Sequence, residues 1–395
     1  MAKVRMGMVG GGEGAFIGAV HRMAAAIDGE IELVCGAFSA DESRSQRSGA
    51  ALHLAADRVY SDYADMMRLE AALPASQRMQ FVVIVTPNHL HFPIAEAALE
   101  SGFHVLSDKP ATLDLQQALR LQEIVKETGL LYGLTHPYTG YPLIKEARAR
   151  IAAGELGVIR KVTVEYTQGW LAYAEEAQGN KQATWRLDPQ QAGISGCMGD
   201  IGVHAANLVE YVSGLKIAQV CSDLTSFVAG RQLDDDGAML LRFDNGARGT
   251  LAASQVSVGE ENALRLRVYG NKGGLEWEHL QPNTLWLKWS DRPTEMLRTG
   301  ADYLGVAAAA NTRVPMGHPE GYLEAFANLY LAFAEQVRAR QQGLEASERA
   351  ADCPGIEEAV RGMAFIELAV AASASEIKWH DMPELQPTAT ETDHV

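Results

Sequence analysis

A strand pattern at residues 3–9 runs directly into Gly10-Gly11-Gly12-Glu13-Gly14-Ala15-Phe16-Ile17-Gly18, and an amphipathic helical pattern at residues 19–27 follows at once. No other feature restricts the fold as tightly. A strand that turns through glycines into a helix brings backbone close to a pyrophosphate, and the helix N-terminus supplies N–H donors and a favourable dipole. Gly10, Gly12 and Ala15 satisfy the G-x-G-x-x-A spacing, with Phe16 and Ile17 in the same loop. A plain tight turn has similar composition, so it is the place between strand and helix that points to a dinucleotide.

The alternation continues. Strand patterns at residues 31–38 and Phe81–Val85, a halt at Thr86-Pro87-Asn88, a helical pattern to Glu100 and a strand at residues 103–106 predict a doubly wound parallel sheet. We read residues 1–135 as an α/β Rossmann domain that binds a nicotinamide dinucleotide. Past Thr135 a helix at residues 141–153 precedes strands at 161–168, 238–243, 247–254, 264–269 and 285–289. Asn245-Gly246 and Asn271-Lys272-Gly273-Gly274 supply hairpin turns. This predicts a C-terminal α+β domain, residues 136–385, on a large and mostly antiparallel open sheet, with amphipathic helices at 322–341 and 356–375 and a tail at 386–395. A chain of 395 residues suits two such domains sharing a cleft.

Lys and Arg total 34 against 50 for Asp and Glu, a net charge of −16, which disfavours nucleic acid and anionic membranes as partners. Cys35, Cys197, Cys221 and Cys353 are far apart with no C-x-x-C pair, so neither disulfides nor a metal site is expected. Asp234-Asp235-Asp236 reads as a solvated turn rather than a cation site. With a strand pattern close to the N-terminus and no apolar run near the ~20 residues of a membrane span, a cytoplasmic protein is expected.

The second strand ends at Phe38-Ser39 without the acidic residue that takes a ribose 2′-hydroxyl. Arg44 then either meets the 2′-phosphate of NADP or is a solvated helix residue, with Asp41 or backbone groups serving the ribose of NAD. The cofactor is therefore NAD or NADP.

Three further stretches resemble the family of glucose-fructose oxidoreductase and inositol dehydrogenase. They are Thr86-Pro87-Asn88-His89-Leu90-His91, then Ser107-Asp108-Lys109-Pro110, similar to the family's Glu-Lys-Pro, and Gly199-Asp200-Ile201-Gly202-Val203-His204, similar to its Asp-x-Gly-x-His. Gly154-Glu155-Leu156-Gly157 falls between them in the family order, and the resemblance spans essentially the whole chain. The glycine loop departs by extra residues before Gly18-Ala19-Val20-His21, and Asn207 stands where an acidic residue often follows the histidine. The resemblance implies hydride transfer between a nicotinamide and a sugar or cyclic polyol. It places Thr86, Pro87, Asn88, His91, Asp108 and Lys109 beside the cofactor and implies a homodimer or homotetramer formed through the open sheet. The strand at 264–269, read as apolar on both faces, supports that pairing weakly. Relatives that oxidise a sugar transiently to cleave a glycoside, and non-catalytic nicotinamide or sugar sensors, are the alternatives.

Oxidising an alcohol needs a base for its proton and a positive group at the developing alkoxide. His204 and Lys109 fit these roles, and Asp200, four positions before His204, reaches the same substrate if the segment is helical. Helix capping is the alternative for Asp200. His136 and Tyr138 at the domain junction, with Gln168, Trp170, Trp185 and Arg186, are candidates for a substrate wall, since sugar rings pair apolar faces with hydroxylated edges. For Trp170 and Trp185 core packing is the alternative. His318 is a weaker candidate.

Overall fold

The computed structural model describes residues 2–385; the predicted tail, 386–395, lies outside the described residues. In the first domain, β1 (Val4–Gly10), β2 (Ile31–Ala37), β3 (Phe81–Val85), β4 (His104–Ser107) and β5 (Tyr132–Leu134) form a parallel sheet in the order β2-β1-β3-β4-β5. Phe81-Val82-Val83-Ile84-Val85 is buried along its whole length because helices cover both faces. Ile94, Leu99, Leu121 and Ile124 pack on one face. Val20 and Ala24 pack on the other, beside Phe326, Tyr330 and Phe333 of the helix Tyr322–Gln342. The chain thus returns to its first sheet after building its second.

That second sheet comprises β6 (Ile159–Thr167), β7 (Ile217–Thr225), β8 (Asp236–Phe243), β9 (Arg248–Ser254), β10 (Ala263–Gly270), β11 (Gly273–Glu278), β12 (Thr284–Trp289), β13 (Glu295–Arg298) and β14 (His380–Asp381). Its order is β13-β12-β11-β10-β6-β9-β8-β7-β14, antiparallel except where β6 and β9 run parallel. Val162, Val164, Leu264, Leu266, Trp277 and Leu287 face inward onto the helices Pro142–Ala152, Val203–Ser213 and Ile356–Ser373. The expectation of two apolar faces at 264–269 is corrected. Alternation sends Arg265 outward, where it pairs with Glu165 and Glu278, and Arg267 with it. Leu240, Trp286 and Met296 are exposed.

The first helix also starts earlier than its periodicity suggests, at Phe16. Ala15 N–H donates to Gly12 O and Gly14 has φ +80°, so the turn is complete within the glycines and Gly18 lies in the helix.

Candidate active site

Parallel strands deliver their C-terminal ends to one edge, so the glycine loop after β1, Thr86–Asn88 after β3, Asp108–Lys109 after β4 and His136–Tyr138 after β5 converge there. Gly10 has φ +82°, and a Cβ on it would lie 2.7 Å from Val85 O. A Cβ on Gly12 would lie 2.8 Å from Phe38 O. The tightest approach is Gly18 against Gly11, where a Cβ would sit 2.3 Å from Gly11 Cα. Gly18, which the sequence reading left in the loop, therefore supplies the close helix–strand contact, while Ala15 is the N-cap. Ala15 caps with no side chain, and the first turn has no acidic residue, which leaves that helix end to an anion. A dinucleotide pyrophosphate fits it.

Phe16 is exposed, Ile17, Ser39 and Arg44 are half-buried, and Asp41 is committed as N-cap of the helix Glu42–Ala51, accepting from Arg44 N–H at 2.9 Å. The Thr86 hydroxyl is buried without a partner among the described residues. Asn88 donates to Ala192 O at 2.9 Å, tying this edge to the second domain. His91 is buried, with its ring nitrogens 2.7 Å from Pro110 O and 3.0 Å from Thr86 O, and so joins two loops of the edge. Asp108 accepts from Lys109 N–H at 2.8 Å and the Thr135 hydroxyl at 3.0 Å. Below it lies His21, hydrogen-bonded to the Tyr330 hydroxyl and held by burial at a pKa of about 4.

Asp200 lies in a π-helical turn, Met198–Gly202, that leads into the helix Val203–Ser213. Asp200 does not cap that helix. Asp234 holds its start, accepting from Gly196 N–H (2.8 Å), Ser195 Oγ–H (2.8 Å) and Met198 N–H (2.7 Å). The reading of Asp234–Asp236 as a solvated turn is corrected at Asp234 and Asp235, because buried N–H groups at the helix start and in the preceding loop need acceptors. Asp235 is fully buried against Arg231 and two backbone N–H groups. Among the described residues no cluster of metal-ligating side chains forms.

Lys109, Asp200 and His204 come together. Lys109 Nζ donates to Asp200 Oδ1 at 2.7 Å and to its carbonyl at 2.5 Å. Gln255 Nε2 donates to Asp200 Oδ2 at 2.8 Å, and Arg186 Nε lies 3.5 Å from the same oxygen. Burial alone would raise the Asp200 carboxyl, but Lys109 and Arg186 hold it well below the usual carboxylate range. His204 is buried, with Nδ1 3.1 Å from Nδ1 of His136 and the Tyr138 ring edge-on at 5.1 Å. Burial, then Lys109 and His136, depress its pKa well below the ordinary imidazole value, so it is neutral at physiological pH.

Tyr138, Gln168 and Trp170 of the predicted wall share one hydrogen-bond network. The Tyr138 and Tyr166 hydroxyls share a proton bond, and Tyr166 O–H donates to Asn262 Oδ1 at 2.7 Å. Gln168 Nε2 also donates to Asn262 Oδ1 (2.7 Å), and Trp170 Nε1 donates to Gln168 Oε1 (3.0 Å). The Arg186 guanidinium lies 4.2 Å from the centre of the Trp185 ring. Tyr166, Gln255 and Asn262 escaped the sequence reading. The one signal for Gln255 is register: β6 pairs Thr167 with Ser254, which brings Gln168 and Gln255 to adjacent strand ends. His318 is exposed, contacts Pro315 O and joins none of these groups.

Residues 4–136 match the model of an oxidoreductase family with an NAD-binding Rossmann fold, and residues 144–276 match the GFO/IDH/MocA C-terminal domain. The chain belongs to the GFO/IDH/MocA oxidoreductase family. Within the family it is similar to an uncharacterized oxidoreductase of Bacillus subtilis, YfiI, with 32% identity over 95% of this chain and 96% of that protein. An inositol dehydrogenase homolog from Azotobacter vinelandii, solved with NAD+, superposes with TM-score 0.91 at 36% identity, covering 96% of this chain and 97% of that one. The same homolog solved with NADH and myo-inositol gives TM-score 0.88 at 35% identity over 96% and 97% of the two chains. GFO/IDH/MocA relatives include sugar and inositol dehydrogenases, in keeping with a nicotinamide-dependent dehydrogenase acting on a CH–OH group. No helix among the described residues is long and apolar enough to cross a membrane.

Proposed function

We propose that this enzyme transfers a hydride between NAD or NADP and a ring secondary hydroxyl of a cyclic polyol or sugar, at the cleft between a nucleotide domain (1–135) and a substrate domain (136–385). The observation that carries the reading is the cluster of half-buried Lys109 and Asp200 with buried His204 at the edge where the glycine loop ends. The presence of myo-inositol with NADH in the homolog of Azotobacter vinelandii supports the substrate class.

A bound nicotinamide would supply the hydride acceptor or donor; Gly10, Gly12 and the helix end at Phe16 would hold the dinucleotide's pyrophosphate, and Thr86 and Asn88 would also contact the dinucleotide. An ammonium has three protons, and Lys109 directs two bonds at Asp200. Its third proton is available to the reacting oxygen, where it stabilises developing negative charge. His204, neutral and desolvated, takes the hydroxyl proton in oxidation and returns it in reduction. Asp200 fixes Lys109 and accepts from a neighbouring hydroxyl, while Tyr138, Gln168, Trp170, Trp185 and Arg186 form the wall. The outer face of the second sheet, with Leu240, Trp286 and Met296, is the surface for a homodimer or homotetramer.

The test follows nicotinamide absorbance with NAD and NADP against inositols, aldoses, anhydrosugars and glycosides. One substrate class should give a signal that His204→Ala reduces by about 10²–10⁴-fold. A panel without net cofactor turnover, with the cofactor still bound and a chromogenic glycoside cleaved, would replace this reading by transient oxidation.

A further inference from the structure

His136 was expected on the substrate wall. It is instead only 1% exposed, with its Nδ1 against Nδ1 of His204. Its backbone is fixed: His136 N–H donates to Leu134 O, and its carbonyl accepts from Thr139 N–H and the Thr139 hydroxyl. Burial and the Lys109 charge press its pKa down to about 3, so both rings are neutral.

A neutral imidazole has one N–H and one lone pair. Two of them joined Nδ1 to Nδ1 must therefore be opposite tautomers. If His136 donates, His204 carries its own proton on Nε2 and has no basic nitrogen left to offer. If His204 donates, its Nε2 keeps a lone pair. Only that second arrangement lets His204 accept a proton and remain hydrogen-bonded, because the resulting imidazolium still donates Nδ1–H to His136. It also places the His136 proton on Nε2, an atom that is buried and has no partner among the described residues.

We propose that His136 is a positioning residue that accepts the Nδ1–H of His204 and so reserves the His204 Nε2 lone pair for substrate. This rests on the dehydrogenase reading only for the use made of that lone pair. Four groups face His204: Lys109 after β4, His136 and Tyr138 after β5, and Tyr166 of β6; Asp200, paired with Arg186, lies one turn back on the chain. Of these, His136 alone hydrogen-bonds its ring. Tyr138 and Tyr166 also contact the His204 ring, so His136→Leu changes the tautomer more than the position.

The experiment is nitrogen NMR on the full-length protein carrying ¹⁵N-labelled histidine, with the His204 signals identified by their loss in His204→Gln. In the wild type His204 should be protonated at Nδ1 and bare at Nε2. His136→Leu should move its proton to Nε2, and His136→Asn, whose Oδ1 takes the place of Nδ1, should restore the wild-type pattern. With myo-inositol and NAD, kcat should fall by about 10–100-fold in His136→Leu at nearly constant KM and recover in His136→Asn. An Nε2-protonated His204 in the wild type, or a tautomer unmoved by His136→Leu, overturns the proposal even if polyol turnover is normal, and leaves the dehydrogenase reading standing. A tautomer that responds as expected, in a protein that turns over no polyol or sugar, upholds the pairing and rejects the dehydrogenase reading.

Discussion

Asp200 is where the single-residue arguments meet, because it neutralises Lys109 and also accepts from Gln255. Asp200→Asn keeps size and one acceptor but removes the charge that anchors the ammonium. We expect kcat to fall by about 10²-fold, with cofactor affinity unchanged by fluorescence titration. Arg44→Ala addresses the other undecided residue: weaker binding of NADP alone marks contact with a 2′-phosphate, and equal binding of both cofactors marks a solvated side chain. Lys109, Asp200 and His204 could be proposed from the sequence because each lies within a short motif. Gln255 and Asn262 could not, since a glutamine just after one unremarkable strand and an asparagine just before another gain meaning only from the strands beside them.

Two elements hold this cluster in place. The helix carrying His204 is started by Asp234, whose carboxylate accepts three bonds from Ser195, Gly196 and Met198. Asp234→Ala strands two buried backbone N–H groups and should destabilise the protein by about 2–4 kcal/mol in chemical denaturation. Asp234→Asn, retaining one acceptor, should cost less. The opening helix depends on Gly18: a Cβ there would meet Gly11 backbone at 2.3 Å, and backbone cannot yield as a side-chain tip can. Gly18→Ala should lower the melting temperature and weaken dinucleotide binding at least tenfold, as measured by calorimetry. Periodicity revealed that the helix exists but misplaced its start, because the turn closes inside the glycine run, where apolar spacing carries no signal.

Across the whole molecule, several imidazoles are buried in their neutral form. His21 and His104 sit at a pKa of about 4 and His136 at about 3, each mainly through burial, with His204 well below its ordinary value. Unfolding releases them to ordinary values of about 6.5, so between pH ~6.5 and ~4 the unfolded chain binds more protons than the folded one. Stability is therefore complete above that window and is lost as pH falls through it, by roughly 1 kcal/mol per imidazole per pH unit. Urea midpoints measured from pH 7 down to 4.5 should decline steadily. A flat profile would mean that these rings are charged in the fold.

Sequence alone determined the parallel nucleotide sheet and the mostly antiparallel second sheet, and it singled out Lys109, Asp200 and His204 as candidates, because periodicity, glycine conformation and short motifs are local properties of a chain. Tertiary structure decided the rest. It made Asp234 and Asp235 acceptors for backbone N–H groups, sent the helix Tyr322–Gln342 back to the first sheet, and made Arg265 and Arg267 an outward charged face. It also moved His136 from the wall to the back of His204. In each case the outcome depends on which distant groups share a buried space, since a polar atom cut off from water takes the partner that packing brings to it.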